Sequence, residues 1–150
     1  MIIDQRVTIA APAERVWAFM TDIPAVSRCV PGVEEFAAVD PETFEGAMKV
    51  KVGPITVRLQ GRVKVIERDH EARTSRLEVS AAEKRIASTV SARTTMTVVP
   101  QGDAQTDVLI HTEASILGKL GEFGQAVMKR KADQVVAEFA GNMAREIGGS

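Results

Sequence analysis

Gly53-Pro54 separates two runs of alternating residues that mirror each other. Before it, Phe44, Gly46, Met48, Val50 and Val52 alternate with Glu45, Lys49 and Lys51; after it, Ile55, Val57, Leu59, Gly61, Val63 and Val65 alternate with polar residues. Successive side chains of a strand point to opposite faces. A two-residue turn that sets Val52 against Ile55 therefore brings every inward residue opposite another inward residue. The match predicts an antiparallel hairpin with one apolar face, and such a face must be covered.

The flanking segments supply the rest of a sheet and its cover. Ile3, Val7 and Ile9 mark a first strand. Pro12 suits the start of a helix over 12–20, in which Val16, Phe19 and Met20 share a face. Asp22 is placed to cap a second short helix running towards Arg28, which the Cys29-Val30-Pro31-Gly32 turn ends. Further strands are predicted around 77–81, 86–99 and 106–116. A register with Val98 opposite Val108 also sets Met96 against Ile110, and Arg93 against Glu113 on the outer face. Gly121, Gly124, Met128, Ala132, Val135 and Phe139 recur at helical spacing and predict one long helix from about 117 to 147. The order is strand, two short helices, six strands, long helix. It predicts an α+β class, a single domain over 1–150 with helices on one face of an antiparallel sheet. A chain of this length buries roughly 70% of its unfolded surface, enough for a core without disulfides or metal.

Nineteen basic and twenty acidic residues leave a net charge of -1, which excludes a globally basic nucleic-acid binder. The single cysteine, Cys29, forms no internal bridge and suits a reducing compartment. No apolar run approaches the roughly 18 residues of a membrane span, and the start lacks the apolar run of a secretory signal. A cytoplasmic protein is expected, with peripheral contact at the inner face of the cell membrane as a further expectation. Gly148-Gly149-Ser150 reads as the start of a linker.

In the hairpin register Gly46 lies opposite Gly61, and Ala81, Ser88, Ala92, Thr112 and Ala114 also face inward, while aromatics make up only 4% of the chain. Small inner residues leave room beneath a covering helix, or they let that helix pack close; alternation by itself leaves both readings open. Met48, Met96 and Met128 suit a pocket, although methionine more often fills a core. The candidate cavity lining is Phe19 from the first helix, Phe44, Gly46, Met48, Leu59 and Gly61 from the hairpin, and Val79, Val90 and Met96 from later strands. The long helix adds Leu120, Gly124, Met128, Val135 and Phe139. Gly118, Gly121 and Gly124 recur every third residue, each costing up to about 1 kcal/mol in a helix interior. They mark either a loose start packed close to the sheet or a weak turn able to open as a lid. Phe123 falls off the stripe and is expected to be exposed, as a gate or docking surface.

Catalysis would require titratable groups in the pocket. His111 and Glu113 point outward by parity, and His70 falls in a turn, so no catalytic residue is expected. Cys29 has no partner at ligand spacing, so neither a metal site nor a cofactor is expected. On the outer face Lys49 opposes Arg58, with Lys51, Arg62 and Lys64 nearby and Glu45 opposite Arg62. That strip is either a solvated face or a docking site for anionic headgroups or an acidic partner. Lys129-Arg130-Lys131 is a second basic run.

Six segments stand out together: Ala11-Pro12-Ala13-Glu14-Arg15-Val16-Trp17-Ala18-Phe19, Cys29-Val30-Pro31-Gly32, Lys49-Val50-Lys51-Val52-Gly53-Pro54-Ile55, Gly118-Lys119-Leu120, Gly124-Gln125 and Ala132-Asp133-Gln134. On these segments the chain resembles the family of the carbon monoxide dehydrogenase G subunit, within the START/Bet v 1-type (SRPBCC) superfamily. The resemblance implies a helix-grip fold, a curved seven-stranded antiparallel sheet around the C-terminal helix, with an internal apolar cavity. It also implies a lipophilic cargo such as a quinone, and a molybdenum hydroxylase-type dehydrogenase as partner, served through maturation or membrane recruitment. Some members extend into a linker and a membrane-anchoring tail. The expected function is carriage of that cargo for the dehydrogenase at the membrane. The alternative is a recruitment factor acting through protein contacts, and a cyclase or dehydratase comes third because related folds host that chemistry.

Overall fold

Every alternating run of the sequence forms a strand. The computed structural model describes residues 1–148: of the expected linker start Gly148-Gly149-Ser150, Gly148 is still helical, and the other two lie outside the described residues. Strand β1 (Ile2–Ile9) leads into helices α1 (Ala13–Thr21) and α2 (Ile23–Cys29). Then come β2 (Val33–Asp40), β3 (Thr43–Val52), β4 (Ile55–Asp69), β5 (Thr74–Glu83), β6 (Ser88–Pro100) and β7 (Thr106–Leu117), before helix α3 (Gln125–Gly148). The strands make one curved antiparallel sheet in the order β1-β7-β6-β5-β4-β3-β2. The hairpin register is the one parity demands: Val52 pairs with Ile55, Met48 with Leu59 and Gly46 with Gly61. Val98 pairs with Val108, Met96 with Ile110 and Arg93 with Glu113.

Helix α1 buries Ala13, Val16, Trp17 and Met20, a 3–4-residue spacing that forms one apolar stripe. The Trp17 indole N–H donates to His70 Nδ1 at 3.0 Å, which satisfies the one polar atom the ring carries inward. Asp22 ends α1 and caps α2, its carboxylate accepting the Ala25 N–H at 3.2 Å. Phe139, Met143 and Ile147 of α3 join Val16, Trp17, Met20, Met96 and Val108 in the main core. A second core, at the opposite end of the sheet, gathers Val52, Val57 and Leu120.

The C-terminal helix begins later than its glycine spacing suggests. Strand β7 runs to Leu117, a 3-10 turn covers Lys119–Phe123, and α3 starts only at Gln125. Gly118 (φ 81, ψ -153) and Gly124 (φ 87, ψ 162) adopt backbone conformations that only glycine takes up readily. At Gly118 a Cβ would lie 1.9 Å from the Ala87 carbonyl oxygen. The glycines thus shape a connection packed against the sheet, and their three-residue period imitates a helical stripe. Phe123 is half-buried rather than exposed, with its ring over Gly53 at the hairpin tip.

Candidate functional site

Between the two cores the sheet is not filled. Helix α2 and the chain after it roof this space with Ile23, Val26 and Val30, and β2 adds Val33 and Phe36. Its floor is Gly46 and Met48 of β3, Leu59, Gly61 and Val63 of β4, Leu77, Val79 and Ala81 of β5, and Val90 of β6. The cavity measures about 360 Å³, within the roughly 300–1,000 Å³ of small-molecule sites. Its wall is wholly apolar. The two polar residues at its edge turn their polar atoms elsewhere: the Ser27 hydroxyl donates to the Pro24 carbonyl at 2.7 Å, and Arg62 pairs with Glu45 at 3.3 Å. Met48, Leu59, Val63, Val79 and Val90 face the interior yet stay only partly buried, and the cavity is open to solvent.

Six of the fourteen residues expected from the sequence lie here: Gly46, Met48, Leu59, Gly61, Val79 and Val90. The other eight lie elsewhere. Phe19, Met96 and Phe139 belong to the main core, and Leu120 and Met128 to the tip core. Phe44 packs on Ile23 and Val65 and stacks on Phe36, with ring centroids 5.5 Å apart, and Gly124 sits exposed in the connection. Val135 is half-buried on α3, away from the lining. The reason is common to the α3 residues: that helix starts late and buries its C-terminal half, leaving the cavity to be roofed by α2. Parity already placed Val63, Leu77 and Ala81 inward. Apolar Ile23 and Val26 on α2, followed by Val30 just beyond it, were the signal that the roof was apolar.

The paired glycines have a tighter cause than room for a ligand. A Cβ on Gly46 would sit 2.1 Å from the Glu35 carbonyl oxygen, and one on Gly61 would sit 2.5 Å from that of Ser80. Neighbouring strands approach too closely there for any side chain.

No acid, histidine or cysteine lines the cavity among the described residues, and those that stand out elsewhere in the fold are committed to structure. Glu83, buried at the end of β5, accepts from the Arg58 and Arg85 N–H groups and pairs with the Arg85 guanidinium at 3.0 Å. The Arg85 side chain, and then the Arg58 N–H, hold its carboxyl down to about 2. Sequence reading missed Glu83, although its parity with Val79 and Ala81 marked it as inward. Asp107 is buried on the outer face, held low first by the Thr8 hydroxyl at 2.7 Å and then by Arg6. His111 faces outward with Nδ1 2.6 Å from Asp4, a contact that raises its pKa. His70 is exposed, and its Nδ1 accepts from the Trp17 indole N–H. Cys29 is buried, and burial pushes its thiol up. Among the described residues no group of three or more metal-ligating side chains converges.

The outer basic strip is partly neutralised. Arg58 pairs with Glu34 at 3.1 Å and with Glu35 at 3.3 Å, and Arg62 with Glu45. Lys49, Lys51 and Lys64 remain exposed beside them. No helix among the described residues is long and apolar enough to cross a membrane.

A sequence model of the family described as the G subunit of carbon monoxide dehydrogenase (CoxG) matches residues 6–148. No curated protein matches the chain by sequence. Among solved structures, a conserved protein from Geobacillus kaustophilus superposes with a TM-score of 0.91 at 17% identity, covering 100% of this chain and 97% of its own. A START superfamily protein from Mycobacterium smegmatis gives 0.73 at 11% identity, over 99% of this chain and 97% of its own. The Zhui aromatase/cyclase from Streptomyces sp. R1128 gives 0.67 at 15% identity, over 99% and 93%. At such identities the likeness establishes the START-type helix-grip fold and nothing finer.

Proposed function

The chain belongs to the CoxG family, that of the carbon monoxide dehydrogenase G subunit, and from that premise we propose that it carries a lipophilic small molecule in the cavity under α2. The expected cargo is a quinone, and the expected role is that of carrier or accessory factor for a molybdenum-containing dehydrogenase at the membrane. The observation that supports this reading is the wholly apolar cavity of about 360 Å³, whose floor leaves Met48, Leu59, Val79 and Val90 only partly buried. Fully covering an aliphatic side chain contributes roughly 1.5–3 kcal/mol, so a cargo that shields several of them binds without a single hydrogen bond.

The same wall favours carriage over catalysis. Among the described residues no acid or base of the lining faces the space, and Glu83 has its oxygens engaged by Arg58 and Arg85. The fold is shared with a cyclase, but a fold by itself brings no catalytic group. Membrane contact is assigned to the exposed Lys49, Lys51 and Lys64, and its anionic selectivity is modest because Glu34, Glu35 and Glu45 lie among them.

Native mass spectrometry of protein purified gently from its own host, with organic extraction alongside, tests the reading. A stoichiometric lipophilic molecule supports carriage and names the cargo. A protein that arrives empty and also refuses added quinones contradicts it, and leaves recruitment through protein contacts as the function.

A further inference from the structure

We infer that the cavity reads only the hydrocarbon chain of its ligand, a single aliphatic or isoprenoid tail, and leaves the polar head outside in solvent or against a partner. This rests on the carriage reading and narrows its chemistry. The wall presents no polar atom anywhere: Ser27 is turned to Pro24, Arg62 to Glu45, and the rest of the lining is aliphatic, Phe36 and glycine. A carbonyl or hydroxyl carried into it gives up its water and gains no partner, a loss of at least tenfold in affinity per group. A methylene gains with every step inward.

The dimensions agree with a tail. At the close packing of protein interiors, roughly ten to fifteen carbons of a flexible chain fill about 360 Å³. One row of the floor crosses four strands, Gly46 beside Gly61, Gly61 beside Ala81 and Ala81 beside Val90, with Met48 and Leu59 on one side of it and Val63 and Val79 on the other, which suits an elongated guest. The space is open on one side, so a head attached to the chain has somewhere to go. Discrimination among cargoes that share a chain must then come from whatever meets the head at the mouth.

The test measures the affinity of the full chain for four compounds: 1-decanol, decanoate, a decyl-substituted benzoquinone, and the same benzoquinone ring without its chain. The expected result is that the three decyl compounds bind within about fivefold of one another, while the bare ring binds at least a hundredfold more weakly. Across alkanols, affinity should rise roughly two- to fourfold per methylene and level off between ten and fifteen carbons. Val63→Phe, which fills part of the floor, should move that plateau to shorter chains. Bare-ring binding comparable to the decyl quinone, or a tenfold change on swapping the head, overturns the tail assignment while leaving carriage intact. Failure of every compound to bind overturns the carriage reading, and the tail assignment with it.

Discussion

Gly46 and Gly61 sit opposite each other on the inner face, where their lack of a side chain could serve the ligand or the sheet. The distances decide for the sheet: a methyl on either would press on a carbonyl oxygen of the next strand, Glu35 in one case and Ser80 in the other. Gly61→Ala is therefore expected to destabilise the protein by about 1–3 kcal/mol, as overpacking does, and urea unfolding measures it. A neutral result would mean that the strands have slack and the glycines serve the cavity alone. Glu83 makes a different claim at the same scale. Its carboxyl titrates near 2 in the fold against an ordinary value of 4.5. A lowered acid contributes stability that is present above its ordinary value and lost as pH falls through the folded one. Glu83→Gln should lower the melting temperature at pH 7 and flatten its decline between about pH 4.5 and 2. Parallel pH profiles for the two proteins would remove Glu83 from the acid-sensitive set.

At the scale of elements, the strands were legible because their period of two is strict and the turn at Gly53-Pro54 anchors the register; Val52 against Ile55 leaves no second solution. The start of α3 was not. Glycines at 118, 121 and 124 share the i, i+3 spacing of a helical face, and spacing carries no information about the sign of φ. The two ends of that connection should also differ in tolerance. Both glycines occupy glycine-only backbone, but a Cβ at Gly124 meets nothing within 4 Å, while at Gly118 it strikes Ala87. Gly124→Ala should cost about 1–3 kcal/mol in backbone strain alone. Gly118→Ala should cost more, and comparative thermal unfolding ranks the two. The reverse order would mean that the connection is not seated on Ala87 as described.

For the whole molecule, parity could say which residues face inward but not which inward residues are covered. That depends on where the helices rest. Met96 and Val90 share one face of β6, yet Met96 is sealed under α1 and α3 while Val90 floors the cavity. Val135, inward by helical period, lies off the cavity because α3 packs through its C-terminal half. The outer face shows the same dependence on neighbours. Five cations form a strip in the sequence, and three glutamates from β2 and β3 fold in among them. Co-sedimentation with vesicles should accordingly show a small preference for anionic over neutral lipid, abolished by Lys49→Glu with Lys51→Glu. Equal binding to both vesicles, or none to either, would remove the membrane role of the strip.

The central claim is that cargo sits under α2, on the β3–β6 floor, rather than against α3. The most direct measurement is the occupancy of an added long-chain quinone by native mass spectrometry, in wild type, Val79→Phe and Val135→Phe, with each variant confirmed folded by circular dichroism. Val79 is on the cavity floor and Val135 is on α3 outside it. With the cargo under α2, Val79→Phe lowers occupancy at least tenfold and Val135→Phe leaves it within about twofold of wild type. Loss of binding in Val135→Phe with uptake preserved in Val79→Phe would contradict that placement and put the cargo against the long helix.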